Sequence, residues 1–128
     1  MKNKDIYHGA LRILSESMVD GANDDYEERA PYIIAAFCNE CRDADAAYRR
    51  ANSLGEAAEV NAVYVDLNDD FPCAPRFSSA CCTYLAAMLI IDQDSDLSDK
   101  LYDKYSDMMS SICAGIPASV ERISERYL

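Results

Sequence analysis

The stretch that decides the fold is Ala80-Cys-Cys-Thr-Tyr-Leu-Ala-Ala-Met-Leu-Ile-Ile91, the longest apolar run of the chain, with Thr83 as its one polar residue. It is too short to cross a bilayer, which takes about 20 apolar residues in a helix. Residues 75–92 are predicted to form a helix that is apolar nearly all round. Such a helix must be covered on every side, so it lies at the centre of a fold or in an interface.

Apolar side chains at helical spacing predict two helices before this one. The first covers residues 4–18. The second starts at Asp24 or Asp25, either of which can cap it, and runs toward Ala51. Pro31 lies inside its apolar stripe and either kinks the helix or marks its first turn. Residues 44–50 are more polar, and we expect them to be more exposed.

The helix that follows the central one has the clearest pattern. Its apolar residues repeat at four-, four-, three- and four-residue steps: Leu97, Leu101, Tyr105, Met108 and Ile112. Ser95 or Asp94 caps it. A short last helix is predicted at residues 117–127, with Val120 and Ile123 facing inward. The fold class is therefore all-α, a small bundle of four to five helices.

A long connection, residues 52–75, separates the second and third helices. Its centre alternates apolar and other side chains, which is typical of a short strand or an extended arm. Connections this long are uncommon in small domains and are often functional. This one carries large apolar side chains, so we expect it to pack on another surface, in self-association or in contact with a partner. The predicted contact residues are Val63, Tyr64, Val65, Leu67 and Phe71.

The charge balance limits the partners. The chain has 128 residues, expected to form a single domain, 1–128, with 12 basic and 23 acidic side chains and a net charge of −11. This charge opposes binding to the phosphates of nucleic acid and to anionic membranes, and it favours protein partners with basic or mixed charge. The start of the chain lacks a secretory pattern, so we expect a cytoplasmic protein.

Six cysteines raise the question of metal or redox chemistry. Cys38 and Cys41 have C-x-x-C spacing, but they are predicted to lie well inside a helix, whereas redox pairs begin one. Adjacent Cys81 and Cys82 would point about 100° apart and make a poor second half of a zinc site. We therefore expect the cysteines to be small core residues, with no metal ligand and no cofactor.

Other chemical patterns are equally incomplete. The spacing of Asp92, Asp94 and Asp96 is similar to the start of a calcium-binding loop, but Leu97 stands where that loop needs glycine. His8 is the only histidine, and no nucleophile lies near it in the sequence. The expectation is that the protein has no catalytic residues and is not an enzyme.

The order of these segments resembles a known family. Four stretches carry the resemblance: Tyr26-Glu-Glu-Arg-Ala-Pro-Tyr-Ile-Ile-Ala-Ala-Phe-Cys38, Asp69-Asp-Phe-Pro72, Tyr84-Leu-Ala-Ala-Met-Leu-Ile-Ile-Asp92 and Leu97-Ser-Asp-Lys-Leu-Tyr-Asp-Lys-Tyr105. Across residues 26–112 the chain is similar to the small head–tail connector proteins, also called adaptor or head-completion proteins, of long-tailed bacteriophages and prophages. The resemblance rests on segment order and helix character.

The resemblance implies a homo-oligomeric ring between the portal and the tail-completion proteins, through which DNA passes without specific binding. The protein would then occur in the cytoplasm of the bacterial host and in the virion. Asp99, Asp103 and Asp107 share one stripe of the fourth helix and would line the channel, although an ordinary solvated face has the same pattern. The residues themselves leave an alternative open, a small acidic protein-binding module that acts as a regulator or an antitoxin.

Overall fold

The computed structural model describes residues 1–16, 23–57 and 63–117. These ranges contain four α-helices and one 3-10 turn, which are in chain order α1 (Asn3–Ile13), α2 (Asp24–Ala51), the 3-10 turn (Pro75–Phe77), α3 (Ser78–Ile90) and α4 (Ser95–Gly115). Within them, the strand pairing is limited to an isolated bridge between Lys2 and Asp70. The predicted all-α class is confirmed. The predicted last helix, with Val120 and Ile123, lies outside the described residues.

The apolar helix is the centre of the bundle. Most residues of α3 are buried, and it packs against α1, α2 and α4. Its leucines and the neighbouring Phe77 are fully buried, and each such side chain contributes about 1.5–3 kcal/mol by leaving water. On one side of α3, the ring of Tyr84 lies 5.9 Å from that of Phe37 on α2 and 5.0 Å from that of Tyr105 on α4, measured between centroids. This aromatic cluster joins three helices.

Helix α1 ends at Ile13, earlier than the predicted residue 18. The reason is a helix-ending turn in which Ser15 takes a left-handed conformation, with φ of 57°. The Ser15 N–H donates to the Arg12 carbonyl, and the Glu16 N–H donates to the Leu11 carbonyl at 2.8 Å. These two bonds satisfy carbonyls that the end of a helix leaves open, as in a Schellman motif.

Helix α2 is continuous through Pro31. It begins at Asp24, so Asn23 is its N-cap and the predicted caps at Asp24 and Asp25 are wrong; the two acids lie in the first turn, where the helix dipole favours them. Its far end repeats the α1 motif, with Ser53 at φ of 55°.

None of the helices in the described ranges is long and apolar enough to cross a membrane.

The segment before α3 folds back onto the start of α1. The backbone N–H groups of Asn3 and Lys4 donate to the carbonyls of Asp69 and Leu67, at 2.9 and 2.8 Å. The side-chain amide of Asn3, which is fully buried, donates to the Asp66 carbonyl. The first N–H groups of a helix have no partner inside it, so this segment satisfies donors that α1 would otherwise leave open.

The polar end of α2 is less exposed than predicted. Asp45 is 2% exposed, although residues 44–50 were expected at the surface. Its carboxylate accepts a hydrogen bond from the Ala74 N–H at 2.8 Å and one from Arg49 Nε at 3.0 Å. Arg49 also donates to the Pro72 carbonyl. This ion pair, in which Asp45 is buried and Arg49 is half-buried, fixes the start of the 3-10 turn against α2.

Candidate functional site

The predicted contact residues divide into a buried and an exposed set. Val65 and Phe71 are buried against this chain's own helices, and Leu67 is half-buried. These three therefore belong to the packing of the monomer in this conformation. Val63 is 75% exposed and Tyr64 is 47% exposed. Only these two present their side chains for contact with another molecule.

The exposed end of the segment lies against α2. The Val65 N–H donates to the carbonyl of Pro31 at 3.3 Å, which fixes the segment beside the helix. The ring of Tyr64 meets the ring of Tyr32 edge to face, with centroids 5.3 Å apart and planes at 70°. We call the open cleft around these two rings the tyrosine cleft; it has a volume of about 390 Å³, and its lining includes Glu27, Glu28, Pro31, Tyr32, Tyr64 and Asp66.

The acidic stripe of α4 faces solvent. Asp99, Asp103 and Asp107 are all exposed, and their four-residue spacing places them on one side of the helix. The other side of α4 packs on the core through Leu101 and Ile112. The helix therefore separates its apolar and acidic faces as the spacing predicts.

A second cleft borders this stripe. It lies between α3 and α4, has a volume of about 470 Å³, and is lined by Met88, Ile91 and Tyr102 together with Asp99 and Asp103. Ile91 and Tyr102 are among the exposed large apolar side chains of the molecule, at 47% and 44%. Two aromatic surfaces with acidic borders thus lie on different elements.

The cysteine pair of α2 gains a third member that the spacing did not reveal. The thiol of Cys73 interacts with the thiols of both Cys38 and Cys41. These interactions and burial hold the pKa of Cys41 and of Cys73 well above the usual range, so both stay protonated at neutral pH. Cys73 lies in the long connection and reaches the pair only through the fold.

Four of the six thiols are placed as core residues, whereas Cys82 is half-buried and Cys113 is exposed. All six are free, and Cys38, Cys41, Cys73 and Cys81 are buried. A protonated, buried thiol is a poor nucleophile and a poor metal ligand, because the thiolate is the reactive form. In the part of the chain that the structure describes, no group of three or more His, Cys, Asp or Glu side chains is arranged to hold a metal ion.

A further pocket is built around structural contacts. It has a volume of about 340 Å³ and lies between α2 and the turn before α3, with Cys38 and Cys73 in its wall. Arg49 crosses it and donates to Asp45, to the Gly55 carbonyl and to the Pro72 carbonyl. Each of the three guanidinium nitrogens of Arg49 therefore has an acceptor within the protein, one carboxylate and two backbone carbonyls.

The aspartates around the start of α4 include the residue that caps the helix. Asp94 is the N-cap, and its carboxylate accepts a hydrogen bond from the Leu97 N–H at 3.0 Å. Capping explains this cluster without calcium, and it selects Asp94 over Ser95.

No family model matches the chain, and searches of curated proteins and of solved structures return no similar protein.

Proposed function

We propose that this chain is a head–tail connector protein of a bacteriophage or prophage, which assembles as a ring between the portal and the tail-completion proteins. The observation that carries the proposal is the acidic stripe of α4, exposed on a helix whose opposite face is fixed in the core. The order of segments from residue 26 to residue 112 resembles that family. The protein then works through assembly and has no catalytic residues.

The acidic stripe suits a channel for DNA. Duplex DNA carries one negative charge per about 1.7 Å, and a protein grips it by neutralising phosphates with basic side chains. A wall that bears Asp99, Asp103 and Asp107 does the opposite, since it repels the backbone at distances within about 10 Å at 0.1 M salt. DNA would slide past such a wall without specific binding.

The exposed end of the long connection suits a contact with the portal or with another subunit. Val63 and Tyr64 project from a segment that is otherwise tied to α1 and α2. A contact made by a fixed segment loses less conformational freedom on binding than one made by a loose loop. The net charge of −11 opposes association of free copies, so the portal is expected to organise the ring.

The test is assembly with and without the portal protein encoded in the same genome. We expect light scattering and negative-stain imaging to show a ring of this chain on the portal, whether or not the free chain is monomeric. Val63→Ser combined with Tyr64→Ser should weaken the ring, while Tyr102→Ser on α4 serves as the matched surface control. A chain that is monomeric at all concentrations and does not bind the portal would refute the proposal.

The alternative is a small acidic binding module, a regulator or antitoxin that covers a basic partner. The two clefts with acidic borders favour it, because charged borders of one sign select partners of the other. It predicts one tight heteromeric partner in affinity purification from the native host, at a fixed ratio, and no ring. Genes for portal and tail proteins on either side of this gene would instead favour the connector.

A further inference from the structure

The tyrosine cleft combines two features that together recognise one kind of side chain. Tyr32 is 52% exposed and Tyr64 is 47% exposed, so ring surface of both residues is open to a ligand although the two rings touch. An edge-to-face pair turns the rings at a steep angle, here 70°, so that at least one face of each ring is not covered by the other ring. Cations bind over such faces because the π-electrons are negative there.

The border of the cleft carries acidic side chains, which also favour a cation. Glu27, Glu28 and Asp66 line it, and the described lining residues include no lysine or arginine. Glu28 and Asp66 are exposed. Asp66 Oδ1 accepts a hydrogen bond from the Asn68 N–H at 2.8 Å, which leaves its second oxygen for an incoming ligand. Carboxylates beside an aromatic face attract a cation and would repel an anion or a second acidic surface.

We propose that the tyrosine cleft binds an arginine side chain of a partner protein. Arginine fits better than lysine because its planar guanidinium stacks on an aromatic ring while its N–H groups donate to carboxylates. The partner differs from a second copy of this chain, whose excess of 23 acidic over 12 basic residues would bring like charges together. The inference deepens the proposed assembly role and rests on it for the existence of a partner.

The binding step can be measured with defined probes on the full chain. The probes are the capped tripeptide Ac-Gly-Arg-Gly-NH2, the same peptide with lysine, and the same peptide with citrulline, which keeps the shape of arginine without its charge. The readout is the NMR shift of the ring resonances of Tyr32 and Tyr64. Affinity for a single side chain is expected to be on the order of 1 mM.

The variants separate the cleft from a general effect of acidic surfaces. We expect Tyr64→Ala and Glu28→Gln each to weaken arginine binding about 2- to 5-fold, as for an exposed cation–π contact or charge pair. Tyr102→Ala removes the equally exposed tyrosine beside Asp99 and Asp103 and is the matched control. It should leave the affinity unchanged. All three side chains are exposed, and the backbone spectrum reports whether each variant is folded.

The outcomes distinguish this inference from the proposed function. Saturable shifts at the two tyrosines with arginine, weaker ones with lysine and none with citrulline support it. Equal shifts with citrulline, an equal loss in Tyr102→Ala, or no saturation by 20-fold the expected dissociation constant overturn it. If arginine does not bind and the ring still forms on the portal, the inference fails and the connector role stands. If arginine binds and no ring forms, the cleft is supported and the connector role fails.

Discussion

At the scale of the residue, two serines end helices in a conformation that usually belongs to glycine. Ser15 and Ser53 have φ of 57° and 55°, and a side chain there costs about 1–2 kcal/mol. We predict that Ser15→Gly and Ser53→Gly each raise the free energy of unfolding by about 0.5–1 kcal/mol, because the relief exceeds the entropy that glycine gains in the unfolded chain. Urea unfolding followed by circular dichroism measures this.

The matched controls are Ser15→Ala and Ser53→Ala. Alanine keeps the Cβ atom and therefore the strain, so neither variant should be more stable than the parent. A gain from alanine equal to the gain from glycine would show that the serine hydroxyl, and not the backbone, is the source of the effect.

Gly9 marks a close approach between α1 and α3. A Cβ atom at this position would lie 2.6 Å from Cys82 Sγ, which is closer than real contacts allow. Alanine in a helix is otherwise favoured over glycine by about 1 kcal/mol. We predict that Gly9→Ala gains this stability only in a Cys82→Ala background, with an interaction of at least about 0.5 kcal/mol in the double-mutant cycle. Additive effects would contradict the contact.

Cys82 also gives a pH-dependent prediction. Burial raises the pKa of its thiol to about 11, and the thiolate is the reactive form. A raised pKa lowers the thiolate fraction at neutral pH, so in a Cys113→Ser variant iodoacetamide should modify Cys82 slowly at pH 7. The rate of modification should then rise about tenfold per pH unit from pH 7 to pH 10. Cys113 is exposed and should dominate in the parent. A Cys82 rate that levels off near pH 9, measured by mass spectrometry, would contradict this.

At the scale of the element, Asp45 holds the start of the 3-10 turn that precedes α3 against α2. Removing its carboxylate leaves the buried Ala74 N–H without its acceptor and the half-buried Arg49 without its ion-pair partner. Since breaking a buried ion pair is costly, we predict that Asp45→Ala lowers the free energy of unfolding by about 3 kcal/mol. Asp43→Ala, at an exposed position on the same helix, should change it by less than about 0.5 kcal/mol in the same denaturation experiment. Similar effects of the two variants would rule out the anchor.

The same element shows where sequence patterns lose their power. The central position of α3 and the two faces of α4 follow from the spacing of apolar residues, which is a local signal. The burial of Asp45 depends on Ala74, and the third thiol of the cysteine group comes from Cys73. Such pairings join distant parts of the chain and leave no periodic trace. An aspartate is therefore read as exposed until its partner is known.

The candidate surfaces divide in the same way. The contact residues Val63 and Tyr64 could be selected from their apolar character in a long connection, and the acidic stripe from four-residue spacing. Tyr32 could not be selected from the sequence, because it lies on the exposed side of α2 and becomes a candidate only through its ring contact with Tyr64. The early end of α1 was also missed, since Ser15 has no special preference for the left-handed conformation that it takes.

At the scale of the whole molecule, net charge sets the conditions for assembly. Each copy carries −11, so copies repel one another at low salt and approach more easily when salt shortens the Debye length from about 10 Å at 0.1 M to about 3 Å at 1 M. We predict that self-association, measured by sedimentation equilibrium, strengthens as NaCl rises from 50 mM to 1 M. A triple variant, Asp99→Asn with Asp103→Asn and Asp107→Asn, should associate more at 50 mM and respond less to salt.

The triple variant also separates screening from the general effect of salt on apolar contacts. High salt strengthens burial of apolar surface in both proteins and screens all of their charges, so only the three charges that differ can change the salt dependence between them. The difference in salt dependence therefore reports the acidic stripe alone. If the parent and the variant respond equally, the stripe lies away from the subunit boundary and its repulsion does not control the ring. If neither associates at any salt concentration, assembly has to begin on the portal, and the portal experiment decides whether a ring exists.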